Sequence, residues 1–103
     1  MAGVFAPDAC SLMRSRYSAF VLGDLPYLRW TWYPSTCPDD LTLEPAVKWL
    51  GLEIRRVVLV DEDHAQVEFV ARSRVAGCGQ RLHEVSRFVK EGGRWLYLDG
   101  DIR

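Results

Sequence analysis

The feature that most restricts this chain is a change of hydrophobic period near residue 52. Before it, apolar residues recur at three- and four-residue intervals, as on one face of a helix. After it, the period falls to two. Segments 52–61, 65–75, 80–90 and 94–99 are rich in Val, Phe, Tyr and Trp and read as strands. Between them lie Glu62-Asp63, Ala76-Gly77-Cys78-Gly79 and Gly92-Gly93, all suited to hairpins. Strands joined by such short turns run antiparallel. The expectation is an α+β chain: N-terminal helices over about 8–50, packed on an antiparallel meander of four or more strands over about 52–101.

The helical half carries its own punctuation. Asp8 is a suitable N-cap, because its carboxylate can accept from the free amides of the first turn. Ala9, Leu12, Met13, Tyr17, Phe20 and Val21 then share a face, and Gly23 ends the helix. Asp24 caps a second, shorter helix with Pro26 in its first turn, carried on by Tyr27 and Leu28 toward Thr31-Trp32 and ended by Pro34. Residues 34–40 read as a loop, and 44–50 as a short helix closed by Gly51.

The 103 residues suit one domain with one core, and apolar residues make up 49% of them. Thirteen basic against fourteen acidic side chains give a net charge of −1, so no global field draws the chain to nucleic acid or an anionic membrane. A strip of Arg72, Arg74, Arg81 and Arg87 is offset by acidic neighbours. Cys10, Cys37 and Cys78 are odd in number and widely spaced. They suggest no zinc site, no disulfide scaffold and no paired nucleophile, and they fit a reducing cytoplasm. Residues 1–5, MAGVF, lack the character of a signal peptide, and no stretch approaches the ~20 apolar residues that span a bilayer. No cofactor or metal is implied.

The turns propose a register. A two-residue turn at 62–63 sets Glu53 opposite Arg72 and Ile54 opposite Ala71. A four-residue loop at 76–79 sets Glu68 opposite Arg87 and Phe69 opposite Ser86. A turn at 92–93 sets Glu91 opposite Arg94, Phe88 opposite Tyr97 and Ser86 opposite Asp99. The three opposite-charge pairs would then mark the solvent face, with Arg74, Arg81 and His83 at one end of it. The other face collects Leu52, Ile54, Val58, Val67, Phe69, Ala71, Leu82, Phe88, Trp95 and Tyr97 against the helices. It also collects Arg56, Glu84, Ser86 and Asp99. Buried charges cost several kcal/mol unless paired or wetted, roughly, so these four either close into a network or floor a polar pocket.

Four blocks of the sequence resemble a known family. They are Leu12 to Phe20 (LMRSRYSAF), Trp49-Leu50-Gly51-Leu52 with Phe69-Val70-Ala71-Arg72, and Glu84 to Gly100 (EVSRFVKEGGRWLYLDG). These are similar to the YchJ-like bacterial proteins of unassigned function. The resemblance covers nearly the whole chain from Asp8 onward. It implies a nuclear transport factor 2-like, cystatin-like fold, in which a curved sheet wraps helices into a cone. That superfamily holds isomerases, dehydratases, cyclases, ligand-binding modules and dimerising modules, and fold does not transfer function. Members of the family often bear a cysteine-rich SEC-C zinc motif, which these 103 residues do not show. They also often have His where this chain has Tyr33.

Three functions stay open at this point. The first is a small-molecule-binding module with a pocket floored by Arg56, Glu84, Ser86 and Asp99. Arg16 would reach in from the first helix, and Tyr17, Trp32 and Tyr97 would wall the pocket, with Tyr33, Trp49 and Trp95 as further candidates. The second is an acid–base enzyme of isomerase, dehydratase or cyclase type on the same cluster, with Arg56 anchoring an anion or carbonyl and Glu84 or Asp99 as general base. The third is a dimerisation or adaptor domain without a ligand, homodimerisation through the sheet being common in that superfamily. Each candidate also has a plain account. The polar four can be a closed ion network, Arg16 a stem on the core with its head in water, and the aromatics ordinary core. His83 beside Arg72 and Arg81 reads as a solvated strand residue, and His64 as a turn residue.

Overall fold

A computed structural model describes residues 6–103. The reading of residues 1–5 therefore falls outside the described residues. Helix α1 (Ala9–Leu22) starts as its sequence requires: the Asp8 carboxylate accepts from the Ser11 amide at 2.7 Å. It stops at Gly23, which takes the left-handed conformation at φ 73° that a side chain disfavours. Helix α2 (Leu25–Trp30) is capped by Asp24, which accepts from the Tyr27 amide at 3.1 Å. No helix among the described residues is long and apolar enough to cross a membrane.

Four strands follow, β1 (Val47–Asp61), β2 (His64–Val75), β3 (Cys78–Glu91) and β4 (Arg94–Ile102), in one antiparallel sheet of order β1-β2-β3-β4. The helix expected at 44–50 is absent. Residues from Val47 onward open β1 instead, where Trp49 pairs with Ser73. The segment after α2 joins the sheet's other edge. Trp32 forms a parallel bridge with Tyr97, the Tyr97 amide donates to the Thr31 carbonyl, and the Tyr33 amide donates to the Tyr97 carbonyl, each hydrogen bond 2.8 Å long. That rung covers part of the β4 edge and fixes Trp32 beside Tyr97.

The register departs from the expected one at identifiable residues. Ala76 and Gly77 both take positive φ, so the β2–β3 turn has two residues and Val75 faces Cys78. Every β2–β3 pair slips by two positions, and Phe69 faces Glu84 instead of Ser86. A slip of two keeps each side chain on its face. Bulges do not. On β1, shifts between Trp49 and Gly51, Ile54 and Arg56, and Leu59 and Asp61 each insert a residue, bending this long edge strand. Leu52 and Ile54 face inward as expected. Beyond the second shift the phase inverts, and Arg56 and Val58 turn to the opposite face. On β4, Phe88 faces Tyr97 as expected, but a shift then sets Arg87 opposite Asp99 and Ser86 opposite Gly100.

The charge pairs move accordingly. Glu53 still reaches Arg72, at 3.6 Å from a diagonal position, and also meets Arg55 at 3.1 Å. Glu68 takes His83 at 2.7 Å instead of Arg87. Arg87 instead binds Asp99 at 2.5 Å and Asp101 at 2.7 Å. Glu91 and Arg94 face each other, and the Arg94 guanidinium donates to the Trp30 carbonyl at 2.9 Å.

The core lies between α1 and the inner face of the sheet. Ala9, Leu12 and Met13 pack on Ala65, Val67, Phe69, Ala71, Phe88 and Trp95. The face of α1 is rotated from the one its apolar residues suggest: Arg16 and Ala19 are buried and Val21 is half exposed.

Two exposed carboxylates are held below the usual range. Asp61 is lowered first by its hydrogen bond with His64, and Asp101 first by its hydrogen bond with Arg87. A depressed folded-state pKa gives stability that is fully present above the ordinary carboxylate value of about 4. It is lost as pH falls through the folded value. The melting temperature is therefore expected to fall below about pH 4, and Asp101→Asn to flatten that fall. An unchanged acid profile in Asp101→Asn would show that the pair contributes nothing.

Candidate functional site

A cavity of about 280 Å³ lies between α1, the rung at Trp32 and the inner face of the sheet. Helix α1 supplies Met13, Arg16, Tyr17 and Phe20, spaced so that successive turns face the same opening. Trp49 enters from the start of β1, standing 5.9 Å from the Tyr17 ring and 5.8 Å from the Phe20 ring. Phe69, Ala71 and Leu82 form the apolar floor.

The polar end is built by β3 and β4. Ser86, 1% exposed, donates to Glu84 Oε2 at 2.5 Å, and the Tyr97 hydroxyl donates to the same oxygen at 3.3 Å. Ser86 reaches Glu84 because residues two apart on a strand share a face. Tyr97 joins them through the register of β4, and its phenol pKa is pushed well up, first by burial and then by the Glu84 charge. The phenol therefore keeps its proton and stays a donor. Gly100 lies across from Ser86, and the space a Cβ would take there is filled by the Glu84 carboxylate.

Arg16 occupies the other side of the cavity. Only 3% exposed, it donates from Nη1 to the Leu28 carbonyl at 2.9 Å and to the Thr31 hydroxyl at 2.7 Å. Its guanidinium carbon lies 4.9 Å from the Trp32 ring centre and 4.6 Å from that of Tyr97. Burial brings its pKa down to about 10, which leaves it cationic at neutral pH. The Trp32 indole N–H is fully buried and has no acceptor among the described residues.

Six of the eight expected site residues thus meet at one cavity: Arg16, Tyr17, Trp32, Glu84, Ser86 and Tyr97. Arg56 does not. It lines a shallow groove on the opposite face with Val58, Gln66, Glu68, Val85 and Arg103. Asp99 does not either, since its carboxylate is held by Arg87 on that outer face. The bulges account for both departures, because one extra residue inverts the faces beyond it. Tyr33 hydrogen-bonds through its backbone to Tyr97 and does not line the cavity, and Trp95 belongs to the core. Arg16 is not a core-packed stem with a hydrated head. Its head is the buried part.

The sequence reading missed Gly100 and Thr31. Gly100 had a signal, because glycine inside a strand marks a close approach. Among the described residues no group of three or more His, Cys, Asp or Glu side chains is placed to hold a metal.

A family model described as YchJ, middle NTF2-like domain, matches residues 8–100. The chain belongs to that family. The UPF0225 protein of Bordetella pertussis is 64% identical over 99 residues, covering 95% of this chain and 74% of the relative. The UPF0225 protein of Cupriavidus metallidurans is 55% identical over 103 residues, covering 94% and 73%. Among solved structures, a SEC-C motif containing protein from Rhodopseudomonas palustris superposes with a TM-score of 0.86 at 32% identity, covering 95% of this chain and 80% of that one. A second, from Psychrobacter arcticus, gives 0.75 at 30% identity, covering 97% and 63%. The NTF2-like fold and membership of the YchJ family are therefore established together. The relatives named here extend beyond the matched region.

Proposed function

We propose that this YchJ-family domain binds a small molecule in the aromatic-walled cavity, with a donor group of the ligand resting on Glu84. The observation that carries this reading is the Glu84 carboxylate. It is held by Ser86 and Tyr97 at the polar end of a cavity whose remaining walls are mostly apolar. Concave, mainly apolar sites with a few fixed polar groups are the usual form of ligand pockets. A reducing, cytoplasmic setting fits the three free cysteines.

A thermal-shift screen of bacterial metabolites tests this reading. A ligand at a hundredfold excess over its Kd stabilises the fold by about 2.7 kcal/mol. Glu84→Gln keeps the shape, removes the charge, and is expected to weaken binding at least tenfold. Arg56→Ala, on the far face, is expected to change nothing. A ligand bound equally well by Glu84→Gln, or a screen with no shift, would sink the reading.

The same oriented carboxylate favours a second reading, in which Glu84 is the general base of an isomerase, dehydratase or cyclase. Turnover of the bound ligand, abolished in Glu84→Gln, separates that from simple binding. A ligand-free dimerisation role draws support from the exposed Val57, Leu59 and Val60 on the edge strand β1, Leu59 being 71% exposed. Its partner would be a second copy of this chain. Sedimentation would then show a dimer at tens of micromolar, and a monomer there would remove that role.

A further inference from the structure

We propose that the outer face of the sheet carries a docking surface for a short acidic segment of another protein, formed by Lys48, Arg72, Arg74 and Arg81. The proposal is independent of the cavity, which lies on the inner face.

The side each residue takes follows from its neighbours. Trp49, Ala71 and Leu82 line the cavity. Successive residues of a strand alternate faces, so Lys48, Arg72 and Arg81 point away from it, and Arg74 lies two on from Arg72 on the same side. The register then sets like charges directly opposite one another. Lys48 faces Arg74 across β1 and β2, and Arg72 faces Arg81 across β2 and β3. All four are exposed. They form two adjacent rows, roughly 7 Å apart, on strands spaced roughly 5 Å apart.

Acidic side chains do not answer this charge. Glu53 reaches Arg72 at 3.6 Å but is also held by Arg55 at 3.1 Å. Lys48, Arg74 and Arg81 form no ion pair among the described residues, and residues 1–5 bring no acidic side chain. Glu68, next along the face, is taken by His83 at 2.7 Å, and the Glu44 carboxylate by the Ala46 amide. Counting Arg55, five cations meet one carboxylate, a local excess of four on a chain whose net charge is −1. Like charges directly opposite on a sheet destabilise it, so folding alone does not favour the arrangement. An anionic partner does, because a complementary field steers and orients it.

Three features favour a protein segment over a nucleic acid. The cationic rows carry no Phe, Tyr or Trp on this face, so bases would find nothing to stack on. Leu50, half exposed at the same end of β1, offers an apolar contact that a phosphate chain does not use. The patch is also bounded, with Asp99 and Asp101 farther along the outer face and Asp61-Glu62-Asp63 at the far hairpin. A phosphate backbone is charged along its whole length and would be repelled there, whereas a few carboxylates cover the cations alone. The forks of three arginines suit carboxylates, each able to take one in two parallel hydrogen bonds.

The test is fluorescence anisotropy of a rhodamine-labelled octaglutamate peptide mixed with the whole chain. Binding is expected to weaken about tenfold as salt rises from about 20 to about 200 mM. Arg74→Gln/Arg81→Gln is expected to weaken it about tenfold at low salt. Arg14→Gln/Lys90→Gln has the same net charge with both changes elsewhere, and is expected to leave binding within about twofold. The first pair of changes relieves repulsion, so that variant is expected to melt at or slightly above the wild-type temperature. If it melts well below, the arginines stabilise the sheet and the argument from repulsion fails. Equal weakening in both double variants, or no binding at millimolar peptide, would overturn the proposal. So would an octauridylate bound as tightly through the same arginines, or a dimer in sedimentation that the same two changes dissolve. The occupant would then be a nucleic acid or a second copy of this chain.

Discussion

Phe88→Ala is expected to lower the unfolding free energy by roughly 3–5 kcal/mol, the range for truncating a buried phenylalanine. Phe88 is 1% exposed and sits in the cluster formed by α1 and the inner face of β2. Its ring stands 5.7 Å from that of Tyr97 at an interplanar angle of 67°, an edge-on pairing that adds to simple burial. Two costs therefore combine: the lost transfer of the ring and the cavity it leaves behind. Against a total of about 5–15 kcal/mol for a domain of this size, that is about a fifth of the stability or more. Urea unfolding measures it. Val21→Ala, on the exposed side of α1, is expected to stay within about 0.5 kcal/mol. A loss below about 1.5 kcal/mol at Phe88 would mean that the space collapses freely and that Tyr97 has no fixed support there.

That support links the core to the site. Tyr97 carries three relationships at once: its ring lies between Phe88 and Arg16, its hydroxyl donates to Glu84, and its backbone binds the rung at Thr31 and Tyr33. Truncating Phe88 is therefore expected to loosen the cavity as well as the core.

The parts of this arrangement legible in the sequence were those set by local chemistry. Asp8, Gly23 and Asp24 mark their helix ends through caps that involve neighbours in sequence. Glu62-Asp63 and Gly92-Gly93 close hairpins at the positions expected. Glu84 and Ser86 stay on the inner face despite a wrong register, because the error at Ala76-Gly77 was an even one. That turn was hard to read because alanine rarely adopts the positive φ it has here. Arg56, Val58 and Asp99 were lost to odd insertions, and a bulge leaves little trace in a strand that stays apolar on both sides of it. At 44–50, a short apolar run closed by glycine satisfies both the helical and the extended pattern, so periodicity does not decide between them. Arg16 shows a different limit. Its burial depends on Leu28, Thr31, Trp32 and Tyr97, which meet it through tertiary packing that a helical wheel does not contain.

Gly100→Ala tests the polar end of the cavity with one added carbon. The backbone there is ordinary for a strand, so alanine is conformationally acceptable, and the obstacle is the Glu84 carboxylate occupying the position of the new Cβ. Glu84 is a flexible chain and can swing aside, which limits the steric cost. What it leaves behind is the larger effect. Ser86, 1% exposed, loses the acceptor for its hydroxyl, and Tyr97 loses the same oxygen. A buried polar group left unsatisfied costs about 1–3 kcal/mol, which sets the expected loss of stability. Ligand affinity is expected to drop at least tenfold, because the carboxylate is no longer aimed into the cavity. In a Glu84→Ala background the same Gly100→Ala change meets no carboxylate, so it is expected to cost less than about 0.5 kcal/mol. The difference between the two backgrounds is the coupling energy of the pair. If Gly100→Ala costs the same in both, the carboxylate does not rest over Gly100. Ser86 and Tyr97 would then be ordinary wall residues, and the reading of Glu84 as a positioned acceptor would fail with them.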